Sequence, residues 1–303
     1  MGTLIAYAYP TNLFARLADH TYVACGTGAR RWSCWGGDTG GDEIARGTGS
    51  TQRADAIAGR KDRAGITCYL VNGVCHQAAN RILVPAGVIV SAARGYGLSE
   101  ALFGTYGRPS AAFGLCKAPF ERHEGVTGDL AECLGPDADG AGASATKSAG
   151  ASGEQAYLAA VQALYLAEGS GYKSIPEGPQ SLHDFQMQLF ELFVEHRLGG
   201  LHQKDASPPS QGERDDLRSA RSRFEFERLE LEGSAPPTQD PATFAGRFNE
   251  LTQRFQQHTG EILSDAQYTA LLDARKGEPI ELADPRIMEE AYGPDAPKPR
   301  PGP

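Results

Sequence analysis

The chain has 303 residues, of which 40% are hydrophobic, and its formal net charge at pH 7 is −9. This length and apolar fraction exclude a wholly disordered chain and allow two domains of ordinary size. The charge is uneven, because residues 1–133 carry 13 basic against 11 acidic side chains whereas residues 154–303 carry 15 against 25. There is no basic stripe, so we expect no nucleic-acid partner.

No stretch approaches the roughly 20 apolar residues that a membrane-spanning helix needs, so no membrane span is predicted. The N-terminus lacks the charged and long apolar segments of a secretory signal peptide. The expected location is therefore the cytoplasm, or outside the cell after export without a cleaved signal peptide.

All six cysteines lie in the first 133 residues: Cys25, Cys34, Cys68, Cys75, Cys116 and Cys133. No two of them have C-x-x-C spacing, and we predict neither a metal site nor a cofactor. Cys116 and Cys133 could form a disulfide in an oxidising compartment, which the sequence leaves open.

Three short segments near the N-terminus have the composition of β-strands: residues 3–9, 19–25 and 31–35. His20 lies near the beginning of the second. A glycine-rich acidic loop follows at residues 36–43 and contains Asp38. Neither phosphate-binding glycine pattern is present, so these glycines are interpreted as turn residues.

The segment around Cys75 carries the strongest chemical signal. Residues 66–71 have the composition of a buried strand, residues 72–73 (Asn-Gly) indicate a turn, and apolar residues from Val74 recur with helical spacing until Pro85. Cys75 is therefore expected in the first turn of a helix, where unpaired backbone N–H groups and the helix dipole favour a thiolate. That place suits a nucleophilic cysteine, although a free cysteine is also a common small core residue.

Farther along, residues 88–93 are predicted to form another strand and residues 98–103 a short helix. Residues 134–153 are almost all small and predict a flexible linker. The linker divides an α+β domain, residues 1–133, from an all-α domain, residues 154–293. The proline-rich tail, residues 294–303, is predicted to be disordered.

Helical periodicity in the second domain predicts helices at residues 154–167, 181–198, 213–232 and 243–263, another capped by Ser264, and a last one that opens at Asp284-Pro285. The highly charged helix at 213–232 is interpreted mainly as a solvated surface. This acidic domain is a candidate binding site for a protein partner.

A nucleophilic thiol needs a base within hydrogen-bond reach. His76 is adjacent to Cys75, but neighbours on a helix point about 100° apart, so His76 is expected to orient the turn or to pack beneath it. His20 is the preferred base because a strand can hold its ring rigidly against the N-terminus of a packed helix. His123 is the second choice.

A histidine on an early strand, then a hairpin, then a cysteine that opens a helix resembles the circularly permuted papain-like cysteine hydrolases. These are the NlpC/P60 relatives that include the lecithin:retinol acyltransferase group. The matching stretches are residues 19–23, Asp-His-Thr-Tyr-Val, and residues 72–77, Asn-Gly-Val-Cys-His-Gln. The acyltransferase group places Asn directly before Cys, whereas two residues intervene here.

The resemblance implies a small antiparallel-sheet papain-like domain with Cys75 as nucleophile and His20 as base. The reaction that it implies is amide or ester acyl transfer through a thioester, with the Cys75 backbone N–H in an oxyanion hole. Asn72, His76 and Asp38 are candidate supporting residues. The substrate would be an amide- or ester-bearing molecule, since relatives act on peptidoglycan stem peptides, lipids and protein amides.

The alternative hypothesis is a non-catalytic protein in which an α+β module with ordinary buried cysteines is joined to an acidic helical interaction domain. In one version of it, Cys75 and His76 are ligands of a metal ion or haem.

Overall fold

A computed structural model describes residues 1–10, 17–26, 31–33, 40–58, 69–108, 152–171, 179–201 and 207–294. Over these residues the fold is α+β, since a four-stranded antiparallel sheet near the N-terminus is followed by a mainly helical region with nine α-helices in all. The predicted class and the helical second half are confirmed.

The sheet has the strand order β3-β2-β1-β4. Its strands are β1 (Gly2–Tyr9), β2 (His20–Cys25), β3 (Arg31–Ser33) and β4 (Asp42–Gly49). Each neighbouring pair is antiparallel, and the β1–β2 register places Leu4 opposite Cys25 and Tyr9 opposite His20.

The two faces of the sheet differ in character because successive side chains of a strand point to opposite sides. The face that carries Ala6, Ala8 and Val23 joins the main hydrophobic core, against which the helix that begins at Cys75 packs. The opposite face carries an aromatic group, and the Tyr7 and Tyr22 rings stack there with centroids 5.1 Å apart.

Nine helices are described in chain order. They are α1 (Thr51–Ala58), α2 (Cys75–Leu83), α3 (Tyr96–Phe103), α4 (Ser152–Gly171), α5 (Pro179–Leu198), α6 (Gln211–Ser234), α7 (Pro241–Ile262), α8 (Asp265–Leu272) and α9 (Pro285–Tyr292). Two predicted caps are confirmed, because Ser264 Oγ accepts from the Gln267 N–H at 3.3 Å and Asp284 Oδ1 accepts from the Arg286 N–H at 2.8 Å.

One hydrophobic cluster contains side chains from both sides of the predicted linker. The Phe103 ring of α3 stacks on Phe248 of α7 with centroids 6.1 Å apart, and the Tyr165 hydroxyl of α4 donates to the Gly107 carbonyl at 2.7 Å. The later helices therefore bury apolar surface against the N-terminal half. Of the predicted linker only residues 152–153 lie within the described ranges, and they begin α4; residues 295–303 of the predicted tail lie outside them.

Of the two strands predicted on either side of α2, the described part of the first, residues 69–71, and the second, residues 88–93, are not strands. Residues 66–68 of the first lie outside the described ranges. Within the first, Tyr69 makes only an isolated bridge to Gly73, and Leu70 has a left-handed φ of 65° with its N–H donating to the Gly73 carbonyl at 2.9 Å. Residues 88–93 are irregular, and the Val90 N–H donates to the side chain of Asn80 at 2.9 Å. These segments are apolar because they are buried, and side-chain and turn hydrogen bonds take the place of a strand ladder.

The predicted acidic loop is also partly wrong, since β4 begins at Asp42. Among the helices of the described ranges, none combines the length and the apolar character that crossing a membrane requires.

Candidate functional site

Cys75 is the first residue of α2, as predicted, and it is 8% exposed. Val74 is the N-cap, and the Gln77 side chain accepts a hydrogen bond from its backbone N–H at 3.0 Å. This bond fixes the first turn of the helix. Because α2 packs on β2, the Cys75 sulfur lies between the helix N-terminus and the beginning of that strand.

Two residues of the β2 segment, Asp19 and Thr21, hold the Cys75 thiol. Its Sγ donates to the Asp19 carbonyl over 3.6 Å. Burial raises the pKa of the thiol, and this effect outweighs the lowering by the backbone N–H and hydroxyl of Thr21 and by the backbone N–H groups of His76 and Cys75. The resting form is therefore the protonated thiol, whereas the sequence had predicted a thiolate.

The Thr21 side chain is the least satisfied polar group beside the sulfur. Its Oγ1 is buried and has no hydrogen-bond partner of acceptable geometry, yet it is near enough to the thiol to lower its pKa. A buried hydroxyl without a partner costs about 1–3 kcal/mol. The sequence analysis did not identify Thr21. The only signal for it was its position next to His20, since alternation along the strand points neighbouring side chains to opposite faces.

The structure brings the backbone of His20 close to the sulfur. His20 lies between Asp19 and Thr21, the two residues that contact Cys75. Strand alternation directs its buried ring to the face opposite Thr21, where it meets the Tyr9 ring edge-on with centroids 5.1 Å apart. The pairing of the His20 ring with the Cys75 thiol stays a prediction.

His76 is fully buried and bridges two elements. Its Nε2 lies 3.0 Å from the Asp19 carbonyl, and its Nδ1 lies 2.8 Å from Ser99 Oγ. Burial lowers the pKa of His76 to about 4, with a further lowering by the charge of His20, so the ring is neutral at pH 7. Since a carbonyl only accepts, the proton that faces Asp19 is on Nε2. Nδ1 lies against the Ser99 hydroxyl, which also donates to the Tyr96 carbonyl at 2.9 Å.

This arrangement fits the structural role expected of His76. Asp19 receives a hydrogen bond from the His76 ring and another from the Cys75 thiol at one carbonyl oxygen. His76 thus fixes the acceptor that holds the thiol proton, and both of its nitrogens are engaged. The metal or haem version of the alternative hypothesis would have to break these bonds.

The other predicted supporting residues have different outcomes. Asn72 is buried in the turn before Cys75, and its carbonyl accepts from the Arg108 N–H at 2.7 Å. Asp38 and His123 lie outside the described residues, as do Cys116 and Cys133. In the part of the chain that the structure describes, no three His, Cys, Asp or Glu side chains are grouped as a metal site would require.

Behind the Asn72 turn lies a buried group of charged side chains, which we call the ionic cluster: Arg108, Arg221, Glu225, Arg228 and Glu232. All five are 0% exposed. Glu225 accepts from Arg221 Nη1 at 2.9 Å and from Arg228 Nη2 at 2.6 Å, and its Oε1 lies 3.0 Å from Arg108 Nη2. Glu232 accepts from Arg108 Nη1 at 2.8 Å.

In the ionic cluster, opposite charges stabilise each other and the guanidinium groups repel one another. Burial would raise the pKa of Glu225, but the attraction of Arg228, Arg108 and Arg221 outweighs it and holds that pKa well below the usual range. Burial, with repulsion from Arg108, lowers the pKa of Arg228 to about 10. Both groups are therefore charged at pH 7.

The ionic cluster corrects the interpretation of residues 213–232 as mainly solvated. The four members on α6 follow one another at spacings of four, three and four residues, which is the period of one helix face. That face also carries buried Leu217, Phe224 and Leu231. Charges in phase with an apolar stripe were the signal that sequence reasoning missed.

Arg108 connects the ionic cluster to the turn before Cys75. Its Nη1 donates to the Val71 carbonyl at 3.2 Å as well as to Glu232, and its backbone N–H donates to Asn72. The turn that leads into the candidate nucleophile is thus held by helix α6.

Comparison of the chain with protein-family models, with curated proteins and with solved structures finds no match.

Proposed function

We propose that the chain is a cysteine-dependent hydrolase or acyltransferase that acts on an amide or ester, with Cys75 as nucleophile and His20 as base. The observation that carries the proposal is the place of the Cys75 sulfur. It lies at the N-terminus of α2 against Asp19 and Thr21, the two residues that flank His20 in the chain. The thiol lies among backbone N–H groups and next to the backbone of a strand-borne histidine, although the His20 ring packs on Tyr9 at the other face of the sheet.

In the proposed reaction the Cys75 proton passes to a ring nitrogen of His20 as the sulfur attacks the substrate carbonyl carbon. The leaving amine or alcohol takes that proton when its bond breaks, which leaves a thioester on Cys75. Water or an acceptor amine or alcohol then cleaves the thioester, and a proton returns to the sulfur. The Cys75 backbone N–H and the Thr21 hydroxyl are the donors that we assign to the oxyanion.

The protonated resting thiol sets a condition on this mechanism. The Asp19 carbonyl accepts the thiol hydrogen bond but cannot take up its proton, so the His20 ring must replace it as the acceptor. We expect a change of the His20 side-chain rotamer when substrate binds. His76 would keep the Asp19 carbonyl in place after the thiol proton has left.

The test uses p-nitrophenyl acetate as an acyl donor and peptide mass analysis as the readout. We expect Cys75 to be acylated at pH 7 at least tenfold faster than Cys25, the other described cysteine, which is half-buried. His20→Gln should slow acylation of Cys75 about a hundredfold, because a general base contributes about 10²–10⁴. His183→Gln, the same change at a distant histidine, should leave the rate unchanged.

Equal acylation of Cys75 and Cys25, or a His20→Gln variant as fast as the wild type, would overturn the proposal.

A second candidate function is non-catalytic, and the raised pKa of the Cys75 thiol favours it. Under this alternative Cys75 is a core residue whose hydrogen bond to Asp19 closes the α2–β2 contact. Cys75→Ser would then lower stability without removing an activity, and acylation of wild-type Cys75 would be the slowest of the cysteines because of its burial.

A further inference from the structure

The Cys75 thiol is covered by residues 17–21, which we call the cover segment. Asp19 and Thr21 of this segment hold the sulfur, and Cys75 is only 8% exposed. So little exposure leaves a substrate carbonyl no room beside the sulfur. We therefore expect the cover segment to move before Cys75 reacts.

A second segment, residues 279–292, lies against the cover segment, and we call it the strap. It comprises residues 279–284, which are irregular apart from one bridge, and helix α9. Leu17 forms that parallel bridge with Glu281 of the strap, and the Ala18 N–H donates to the Glu281 carbonyl at 2.9 Å. The strap thus pairs with the cover segment through its backbone.

The strap also contacts the turn that leads into α2. The Tyr69 hydroxyl donates to the Leu282 carbonyl of the strap at 3.0 Å, and the Tyr292 hydroxyl of α9 donates to the Tyr69 carbonyl at 2.8 Å. The cover segment and this turn approach Cys75 from different parts of the chain. The strap connects both of them.

Arg94 links the cover segment to the residue just before the strap. Its backbone N–H donates to Asp19 Oδ2 and its carbonyl accepts from the Asp19 N–H, both at 3.0 Å. Its guanidinium donates to the Leu17 carbonyl at 3.3 Å and pairs with Glu278 at 3.1 Å. The hold of Arg94 on Asp19 therefore depends in part on the position of the strap.

Two buried amide side chains of α7 hold the strap in place. Gln256 donates to the Ile280 carbonyl and accepts from the Ile280 N–H, both at 2.9 Å. Asn249, two helical turns earlier, donates to the Ala283 carbonyl at 3.1 Å and accepts from the Ala283 N–H at 3.0 Å. These four bonds satisfy strap backbone groups that a helix or a sheet would otherwise pair.

The strap has the features of a segment that opens locally. It follows an exposed turn, residues 275–278, in which Gly277 has a φ of +78°. Its large buried apolar side chains are Ile280, Leu282 and Met288. A segment held by a few buried side chains and by hydrogen bonds that water can replace opens at a lower free energy than the whole fold.

We propose that the strap is an autoinhibitory element, and that Cys75 reacts from an open form in which the strap has left α7 and the cover segment. The regulatory meaning of the strap rests on the proposed function, since only a reactive thiol needs a cover. In the open form the sulfur is hydrated, so the burial that raises its pKa is removed. The rate of acyl transfer then follows the population of the open form.

The test is alkylation of the full chain by iodoacetamide at pH 8, with peptide mass analysis of Cys75 as the readout. Gln256→Ala and Asn249→Ala each leave two buried backbone groups of the closed strap without partners, whereas water satisfies them in the open form. Each variant should therefore speed alkylation of Cys75 at least tenfold. Gln257→Ala is the matched control on the same helix, because its exposed amide bonds to Glu261, and it should react like the wild type.

Urea concentrations below the unfolding transition separate release of the strap from global unfolding. Release exposes a small part of the buried surface, so the logarithm of the Cys75 alkylation rate should rise with urea at well under half the slope of global unfolding. Cys25, which is half-buried on the sheet, reports changes common to the whole fold. It should be alkylated equally fast in the wild type and in the three variants.

Three results would overturn the proposal. They are variants at Gln256 and Asn249 that react at the wild-type rate, a Gln257→Ala control that is accelerated as much as they are, and a urea slope equal to that of global unfolding. Circular dichroism melting checks that each variant is folded at the assay temperature.

Failure of the strap and failure of the proposed function give different results. If alkylation of Cys75 depends on the strap but acylation does not depend on His20, the strap is supported and the proposed function is refuted. If acylation depends on His20 but the strap variants alkylate like the wild type, the strap proposal is refuted and the proposed function is supported.

Discussion

Replacement of Glu225 by Gln tests the ionic cluster. The change removes one of two carboxylates that face three buried guanidinium groups, and it raises the formal charge of the cluster from +1 to +2. Removing one partner of a buried ion pair costs about 3–5 kcal/mol, because the remaining charges are desolvated without compensation. That is a large fraction of a typical unfolding free energy of about 5–15 kcal/mol.

The assay is urea unfolding at pH 7, followed by far-ultraviolet circular dichroism. Glu227→Gln is the matched control, since it is the same change on the same helix and removes only the surface pair with Arg254, which is worth about 1 kcal/mol or less. The double variant Glu225→Gln/Arg228→Met should cost at least about 1 kcal/mol less than the sum of the two single changes, because contacting charges couple.

The same substitution has a pH signature. The folded pKa of Glu225 lies below its usual value of 4.5, so its stabilisation is fully present above that pH and is lost as the pH falls toward the folded pKa. Wild-type stability should thus decline more steeply below pH 4.5 than that of Glu225→Gln. A cost below 1 kcal/mol at pH 7 and no coupling to Arg228 would refute the role given to the cluster.

Three further changes test other parts of the structure. The folded pKa of His76 is about 4, below the usual 6.5, so unfolding takes up a proton between these values. From pH 6.5 to 5 the wild type should lose about 1.6 kcal/mol more stability than His76→Gln in urea titrations at the two pH values. Asn80→Ala removes three buried hydrogen bonds, including the one from the Val90 N–H, and should cost about 2–4 kcal/mol in the same assay; a loss under 1 kcal/mol would contradict it. Gly95→Ala, at a φ of +82° with Ala18 Cβ 2.6 Å from the added Cβ, should lower the melting temperature by several degrees, and an unchanged melting temperature would refute the steric argument.

Helix positions could be predicted from sequence because their signals are local. Ser264 and Asp284-Pro285 mark helix starts through hydrogen bonds that span only two or three residues, and the place of Cys75 follows from the turn and periodicity around it. The strand predicted at residues 66–71 is wrong over its described part, residues 69–71, because an apolar composition reflects burial as well as strand pairing. Only the fold shows that Leu70 adopts a left-handed turn there.

The environment of the candidate site could not be predicted, since it depends on contacts between distant segments. The thiol was expected to be acidic from its helix position, whereas packing against Asp19 and Thr21 buries it and raises its pKa. The burial of the charged face of α6 likewise depends on Arg108, which lies more than a hundred residues earlier in the chain, so the sequence of the helix alone does not show it. For the pKa of the Cys75 thiol, the lowering by the helix dipole was the smaller effect and the raising by burial was the larger one.

The position of Arg108 in the chain also bears on how the protein is made. Its carboxylate partner Glu232 is 124 residues away, so a ribosome that adds about 5–20 residues per second delivers that partner roughly 6 to 25 s after Arg108. During this interval the Arg108 guanidinium lacks the carboxylates that surround it in the folded protein. The turn before Cys75 then lacks the contacts through which Arg108 connects it to α6. We infer that the sheet half reaches its final packing only after α6 has left the ribosome, so the nascent N-terminal half is the form most exposed to chaperones and proteases.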